Sequence, residues 1–239
     1  MTEKIRVGCC GFPVAKERYY QNFSVVELQQ TFYQLPLLKT AKRWAEEAPE
    51  GFEFNMKASQ LITHETTSPT YRRYKIPIPE EKRARYGSFR HSEEVMEAWE
   101  QTREIAQALK ARIILFQCPP KFTPIEENKK NLRKFFRAVS RSGFLFVWEP
   151  RGEWQPEEVK RLCEELDLLH GLDPFKAKPL HGRLKYFRLH GKTDYTYRFS
   201  QEDLLWLKDL CKAEEEVYCM FNNISMFEDA QKFRAILEG

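Results

Sequence analysis

Eight short runs of apolar, β-branched and aromatic residues, separated by segments with helical periodicity, constrain this chain more than any other feature. The runs are residues 5–9, 25–28, 52–56, 113–116, 144–148, 166–169, 186–189 and 217–221. Several are continuously apolar, as strands buried on both faces are, rather than alternating. Strands that alternate with helices return to the same end of a sheet and pair in parallel. Eight such units in 239 residues predict an α/β chain closed into a TIM-type (β/α)8 barrel, one domain over residues 1–239. An open doubly wound sheet is the rival, and no G-x-G-x-x-G or phosphate-loop pattern favours it.

Helix starts between the runs carry capping signals. Thr123-Pro124-Ile125-Glu126 offers a cap, a proline at the first helical position and an acidic first turn, for a helix running to about Ser142 with Gly143 as its left-handed cap. Ser200 with Asp203 and Ser225 with Glu228 repeat the pattern. From Ser92 to Lys110, residues Val95, Trp99, Ile105, Ala106 and Leu109 fall on one helical face. Residues 58–91 are too long for an ordinary strand-to-helix connection and read as an excursion over the barrel mouth, either a functional lid or a solvated loop. Within it, Tyr71-Arg72-Arg73-Tyr74-Lys75 interleaves cations with aromatics.

Charge and cysteine content narrow the setting. Lys and Arg number 39 against 35 Asp and Glu, a net of +4, so net charge alone does not argue for nucleic acid and the placement of the cations decides. After Met1, Thr2-Glu3-Lys4 leads directly into the first strand run, and no window is apolar enough for a bilayer. The six cysteines form no C-x-x-C pair and read as buried free thiols of a reducing cytosol. A cytoplasmic chain without membrane contact is expected, and its Glu, Lys and Arg content would suit a thermophile.

In a parallel barrel, the residues that follow each strand converge on one rim. Here that rule collects Gln29 with nearby Tyr33, Lys57, Gln117, Glu149 with Arg151, Asp173, Arg188 with His190, and Asn222 with Asn223. Lys57, Arg151 and Arg188 outnumber Glu149 and Asp173, which suits an anionic ligand such as a phosphate or a carboxylate. A purely structural reading also stands, in which Glu149 pairs with Arg151, or Asp173 with Arg188, and holds strand ends together. His190 and Glu149 are the candidate acid–base groups, and His64 in the excursion can approach the same rim. Glu149, Asp173, His190 and His64 offer ligand atoms for a divalent metal, but the neighbouring lysine and arginines would repel it, so no metal is favoured and no cofactor is expected. Cys9 and Cys10 read as small packing residues, and no nucleophile signature such as G-x-S-x-G is present.

Several stretches together resemble the YecE-like family, domain of unknown function 72. They include Gly8-Cys9-Cys10-Gly11-Phe12, Glu27-Leu28-Gln29-Gln30-Thr31-Phe32-Tyr33, Trp44 with Pro49, and Phe52 to Lys57 with Thr63-His64. Leu115 to Pro120, Glu149-Pro150-Arg151 with Trp154, Asp173, Arg188-Leu189-His190-Gly191 and Phe221-Asn222-Asn223 follow in the family's order. The resemblance implies a TIM-type barrel loosely similar to the superfamily of xylose isomerase and endonuclease IV, and it implies no defined activity. The endonuclease's zinc-binding set is not matched. Three places depart from the family pattern: Gln29 stands where Asn is usual, Gly152 where His commonly follows the Glu-x-Arg motif, and the first loop, Phe12-Pro13-Val14-Ala15, lacks the usual Trp and Tyr pattern.

Three functions remain open on the sequence. The leading one is binding of a phosphate-containing ligand, nucleic acid included, at Lys57, Gln117, Arg151, Arg188 and Asn222. The second is a small-molecule isomerase or hydrolase acting on a phosphorylated or acidic sugar, which requires a closed pocket rather than a groove. The third is a noncatalytic partner-binding protein.

Overall fold

The computed structural model describes residues 4–239; Thr2 and Glu3, read above as leading into the first strand, lie outside them. Eight parallel strands close into a barrel in sequence order: β1 (Ile5–Cys9), β2 (Val25–Leu28), β3 (Glu53–Lys57), β4 (Ile113–Gln117), β5 (Leu145–Glu149), β6 (Leu169–Leu172), β7 (Leu184–Leu189) and β8 (Glu216–Phe221). Helices α1 (Lys16–Tyr20), α2 (Gln30–Tyr33), α3 (Leu38–Glu47), α4 (Gln60–Thr63), α5 (Glu93–Ala108), α6 (Glu126–Ala138), α7 (Pro156–Leu166), α8 (Gln201–Lys212) and α9 (Met226–Glu238) connect and surround them. The expected (β/α)8 barrel is the architecture found. No helix among the described residues is long and apolar enough to cross a membrane.

Side chains of successive strand residues point to opposite faces, so each strand feeds two cores. Val26, Met56, Ile114, Phe116, Phe146, Trp148, Phe187 and Phe221 face the helices in the larger outer core. There Trp99 of α5 and Phe135 and Phe136 of α6 meet Phe116 and Phe146 in edge-on and tilted contacts at 5.0–6.2 Å. Burying each such ring is worth about 1.5–3 kcal/mol. The alternate set, Val25, Ile113, Leu115, Val147, Leu184, Tyr186, Tyr218 and Met220, fills the barrel's own interior. Gly8 belongs to this inner face, where a Cβ would lie 2.3 Å from the Val25 carbonyl oxygen.

The inner face is charged at both ends. At the amino-terminal end, Arg6 and Arg112 grip Glu216 at 2.6 and 2.7 Å, and Arg112 also donates to the Tyr218 hydroxyl at 2.6 Å. At the carboxyl-terminal end lie Glu27, Lys57, Gln117, Glu149 and Arg188, each two residues beyond an apolar inward neighbour or its equivalent in register.

Four local expectations are corrected. The sixth strand lies at residues 169–172, not 166–169. Leu166 instead completes the buried stripe of α7 with Val159, Leu162 and Cys163, and Asp167 caps that helix in the left-handed region at φ 50°. Thr123 does not cap α6, whose boundary residue is Ile125; Thr123 accepts a hydrogen bond from Asn128 through its carbonyl. That helix ends at Ala138, and Gly143 turns the chain at φ 85° four residues after the helix boundary at Val139. The Ser200–Asp203 capping box forms as read, whereas Ser225 makes no side-chain cap bond; Ser92, not singled out above, caps α5 by accepting from the Val95 N–H. All six cysteines are free and buried.

The excursion holds α4 and two short 3-10 turns at residues 69–73 and 80–85. Its contacts run from α2 to α5: Arg73 lies over the Tyr33 ring at 4.5 Å, and Arg85 pairs with Glu94 at 2.9 Å. Tyr71 turns inward and donates to the His64 carbonyl at 2.9 Å.

Candidate functional site at the barrel mouth

The floor of the mouth is a buried ion ladder. Arg188 is fully buried; it donates to both oxygens of Glu27 at 2.9–3.1 Å and to Glu149 Oε2 at 2.8 Å. Tyr186 adds its hydroxyl to Glu27 Oε2 at 2.8 Å, and Gln29 also bonds Glu27 while accepting from Arg188 at 3.4 Å. Burying these charges is tolerable only because each has hydrogen-bonded counter-charge.

A second chain of contacts rises from the floor to the rim. Lys57 Nζ donates to Gln117 Oε1 at 2.5 Å, and Gln117 Nε2 donates to Glu149 Oε1 at 3.1 Å. Arg151 reaches the same Glu149 oxygen at 2.8 Å and places Nη2 3.1 Å from His190 Nε2. Asn222 Nδ2 lies 3.0 Å from that ring nitrogen. Arginine can only donate, so His190 Nε2 is the acceptor and Nδ1 carries the hydrogen, directed at the Arg188 carbonyl 2.9 Å away. Asp173 Oδ2 accepts from the His190 backbone N–H at 3.0 Å and fixes the strand end.

Electrostatics divide the titratable groups sharply. Burial alone would push the Glu149 carboxyl up, but Arg188 and Arg151 outweigh it and hold it at about 2. Burial lowers the Lys57 ammonium from 10.5 to about 7; Arg188 adds to the effect, while Glu149 and Glu27 oppose it. Burial lowers His64 to about 3, with Lys57 contributing. Cys10 and Tyr186 are pushed well above their usual values by burial, with the Glu27 charge adding to it, so both stay protonated.

Most of the residues named from sequence therefore meet: Gln29, Lys57, Gln117, Glu149, Arg151, Asp173, Arg188, His190 and Asn222 form one connected network. Two do not join its hydrogen bonds. Asn223 points the other way and donates to Tyr197 and Asp229, because adjacent residues of β8 and its extension face opposite sides. His64 sits behind Phe32, edge-on at 4.8 Å, with Nδ1 on the Thr63 hydroxyl. The Asp173–Arg188 pair is not formed, and the cation surplus is offset by Glu27. Arg188 is committed to the floor, leaving Arg151 as the half-exposed guanidinium of the mouth. Sequence reasoning missed Glu27, Tyr186 and Phe32; inward alternation along β2 and β7 was the signal that carried the first two. Among the described residues, no three His, Cys, Asp or Glu side chains are placed to hold a metal ion together.

Gly152, one of the departures from the family pattern, has a physical cause. A Cβ there would lie 2.6 Å from the Phe122 carbonyl oxygen, which also accepts the Trp154 indole N–H at 2.7 Å. The loops after β4 and β5 thus close on each other beside Arg151.

Known proteins share this arrangement of the whole chain. YunF of Bacillus subtilis (strain 168), a UPF0759 protein, is 23% identical across 93% of this chain and 85% of its own. The crystal structure of the DUF72 family protein EF0366 from Enterococcus faecalis V583 superposes with a TM-score of 0.72, at 20% identity, over 98% of both chains. Endonuclease IV from Thermus thermophilus shares the barrel more distantly, with a TM-score of 0.55 at 15% identity over 93% of this chain and 92% of that one. The family described as "Protein of unknown function DUF72" matches residues 16–238, which takes in all but the first of the barrel strands and every group of the mouth, and the chain belongs to that family.

Proposed function

We propose that the mouth is the active site of an enzyme acting on a small phosphorylated or acidic sugar. The observation that supports it is closure. Lys57, Glu149 and Asp173 are 7%, 3% and 8% exposed, so the polar groups lie recessed within the barrel end rather than along an open track. Charges on the floor are balanced, which suits a neutral polyol framework, and Arg151 at the rim is placed for its single anionic group. An anion drawn to Arg151 would take the guanidinium off His190 Nε2 and leave the Asn222 amide as its remaining contact, so that nitrogen can act as a base once a substrate hydroxyl displaces the amide. General-base catalysis of this kind is worth about 10²–10⁴-fold.

Extended nucleic acid fits less well. The basic, aromatic segment at residues 71–75 offers few free ring faces, since Tyr71 and Tyr74 are half-buried against the core and meet each other edge-on at 6.0 Å.

A thermal-shift and calorimetric panel of sugar phosphates and sugar acids tests the reading. At least one should stabilise the protein, and Arg151→Ala should weaken it by ~10–100-fold, the worth of a charge-assisted contact of about 1.5–3 kcal/mol. His190→Ala should bind but not turn over. Duplex or single-stranded DNA binding with a steep salt dependence, and no response to any sugar compound, would overturn it.

A further inference from the structure

We propose that Lys57 Nζ is a nucleophile that condenses with the open-chain carbonyl of an aldose or ketose phosphate to form an imine. The inference rests on the small-sugar reading of the mouth and adds the functional group its substrate must carry.

The case begins with a missing partner. The other cations of the network sit on carboxylates: Arg188 on Glu27 and Glu149, and Arg151 on Glu149. Among the described residues Lys57 has no carboxylate at ion-pairing distance. Its Nζ meets the uncharged Gln117 Oε1 at 2.5 Å and the face of Phe32, with the ring centroid 3.8 Å away. Neither contact is a counter-charge, and the one hydrogen bond leaves the other positions on the nitrogen without a protein acceptor.

The charged and titratable groups around it come from four elements. Arg188 lies on β7, Glu149 and Arg151 at the end of β5, Glu27 on β2, and His64 just after α4. Burial and the two guanidiniums outweigh the two carboxylates and bring the ammonium to about 7. At neutral pH about half of the side chain is then free amine, a fraction roughly a thousandfold above that of an ordinary lysine. A desolvated lysine beside other cations is how an amine nucleophile is activated.

The step balances without a co-reactant. The Nζ lone pair forms the C–N bond while the carbonyl π pair moves to oxygen, which takes a proton. The carbinolamine then expels that oxygen as water as nitrogen forms the C=N bond, and the amine's two hydrogens account for the protons. Nothing is oxidised or reduced. Gln117 holds the amine by an N–H and leaves its lone pair for the carbonyl carbon.

The test is reductive trapping on the intact chain at pH 7, with D-glyceraldehyde 3-phosphate as the probe and sodium cyanoborohydride as the hydride source. Peptide mass spectrometry should find the reduced adduct on Lys57 at least tenfold faster than on surface lysines. Its rate should level off above about pH 8, whereas surface lysines should gain about tenfold per pH unit towards pH 10. Glycerol 3-phosphate, which lacks the carbonyl, should slow the labelling. Lys57→Arg and Lys57→Met, each checked for folding by thermal melt, should lose that adduct and keep the surface ones. Labelling of Lys57 no faster than of surface lysines overturns the imine. If glycerol 3-phosphate still raises the melting temperature, the sugar-binding reading survives that failure; if it does not, both fall.

Discussion

Arg188→Met is expected to lower the thermal midpoint by roughly 10 °C or more. The substitution strands Glu27, 0% exposed, without a counter-charge and leaves Glu149, 3% exposed, with Arg151 alone. Breaking a buried pair in this way typically costs about 3–5 kcal/mol. In a chain of this length each kcal/mol moves the midpoint by about 2–4 °C. The companion experiment separates charge from shape. Glu27→Gln and Glu149→Gln added to Arg188→Met remove all three charges, and the triple variant should recover most of the loss. Urea titrations of the three proteins check this; a single Arg188→Met variant as stable as the parent would show that the ladder does not hold the strand ends.

Acid should weaken the protein steeply well before its carboxylates titrate. His64 and His170 are both 6% exposed, and burial lowers them to about 3 and about 4; the Nδ1 of His170 also has no hydrogen-bond partner. Both folded-state values lie below the unfolded value near 6.5, so between those limits the unfolded chain binds more protons than the native one. The stability they contribute is complete above pH 6.5 and is lost as pH falls towards 4. Each histidine then removes about 1.4 kcal/mol per pH unit, and the pair about 2.7, which sums to ~5 kcal/mol by pH 4.5. That is a large share of the 5–15 kcal/mol typical of a folded chain. Glu149, held at about 2, adds its own loss only below its ordinary range of about 4.5. Denaturant midpoints measured from pH 7.5 to 4.5 should show this slope, and His64→Gln with His170→Gln should roughly flatten it. A parent protein whose midpoint is constant over that range would refute the assignment.

The barrel was legible because its strands differ so strongly in composition from the connecting segments. Seven of the eight runs coincide with observed strands to within one or two residues. The sixth escaped because Leu-His-Gly-Leu lacks β-branched residues, while Leu166 and Asp167 before it look like strand but serve the helix as last apolar contact and left-handed cap. The mouth was legible as a location and less so as chemistry. Taking the residues just past each run found Lys57, Gln117, Glu149 and Arg188, yet passed over Glu27, which lies inside its run and faces inward two positions before Gln29. Omitting that one carboxylate made the mouth read as cationic. Asn222 and Asn223 looked equivalent in sequence, and the two-residue period of the strand sends them to opposite sides. The partners of His64 and Tyr71 depended on the path of a 34-residue connection, residues 58–91, which no local pattern determines.

Between the ion cluster of Arg6, Arg112 and Glu216 and the ladder of Glu27, Arg188 and Glu149 stands a girdle of Val25, Ile113, Leu115, Val147 and Leu184. A hydrocarbon plug of this kind acts as an insulating spacer between two wet electrodes. Protons and hydrated ions entering above meet no polar path to the lower end, so anything bound at the mouth would come and go by one doorway. Charge substitutions at the lower end can accordingly alter how firmly the chain is clamped without retuning acid–base behaviour above, and the two ends are free to be modified independently.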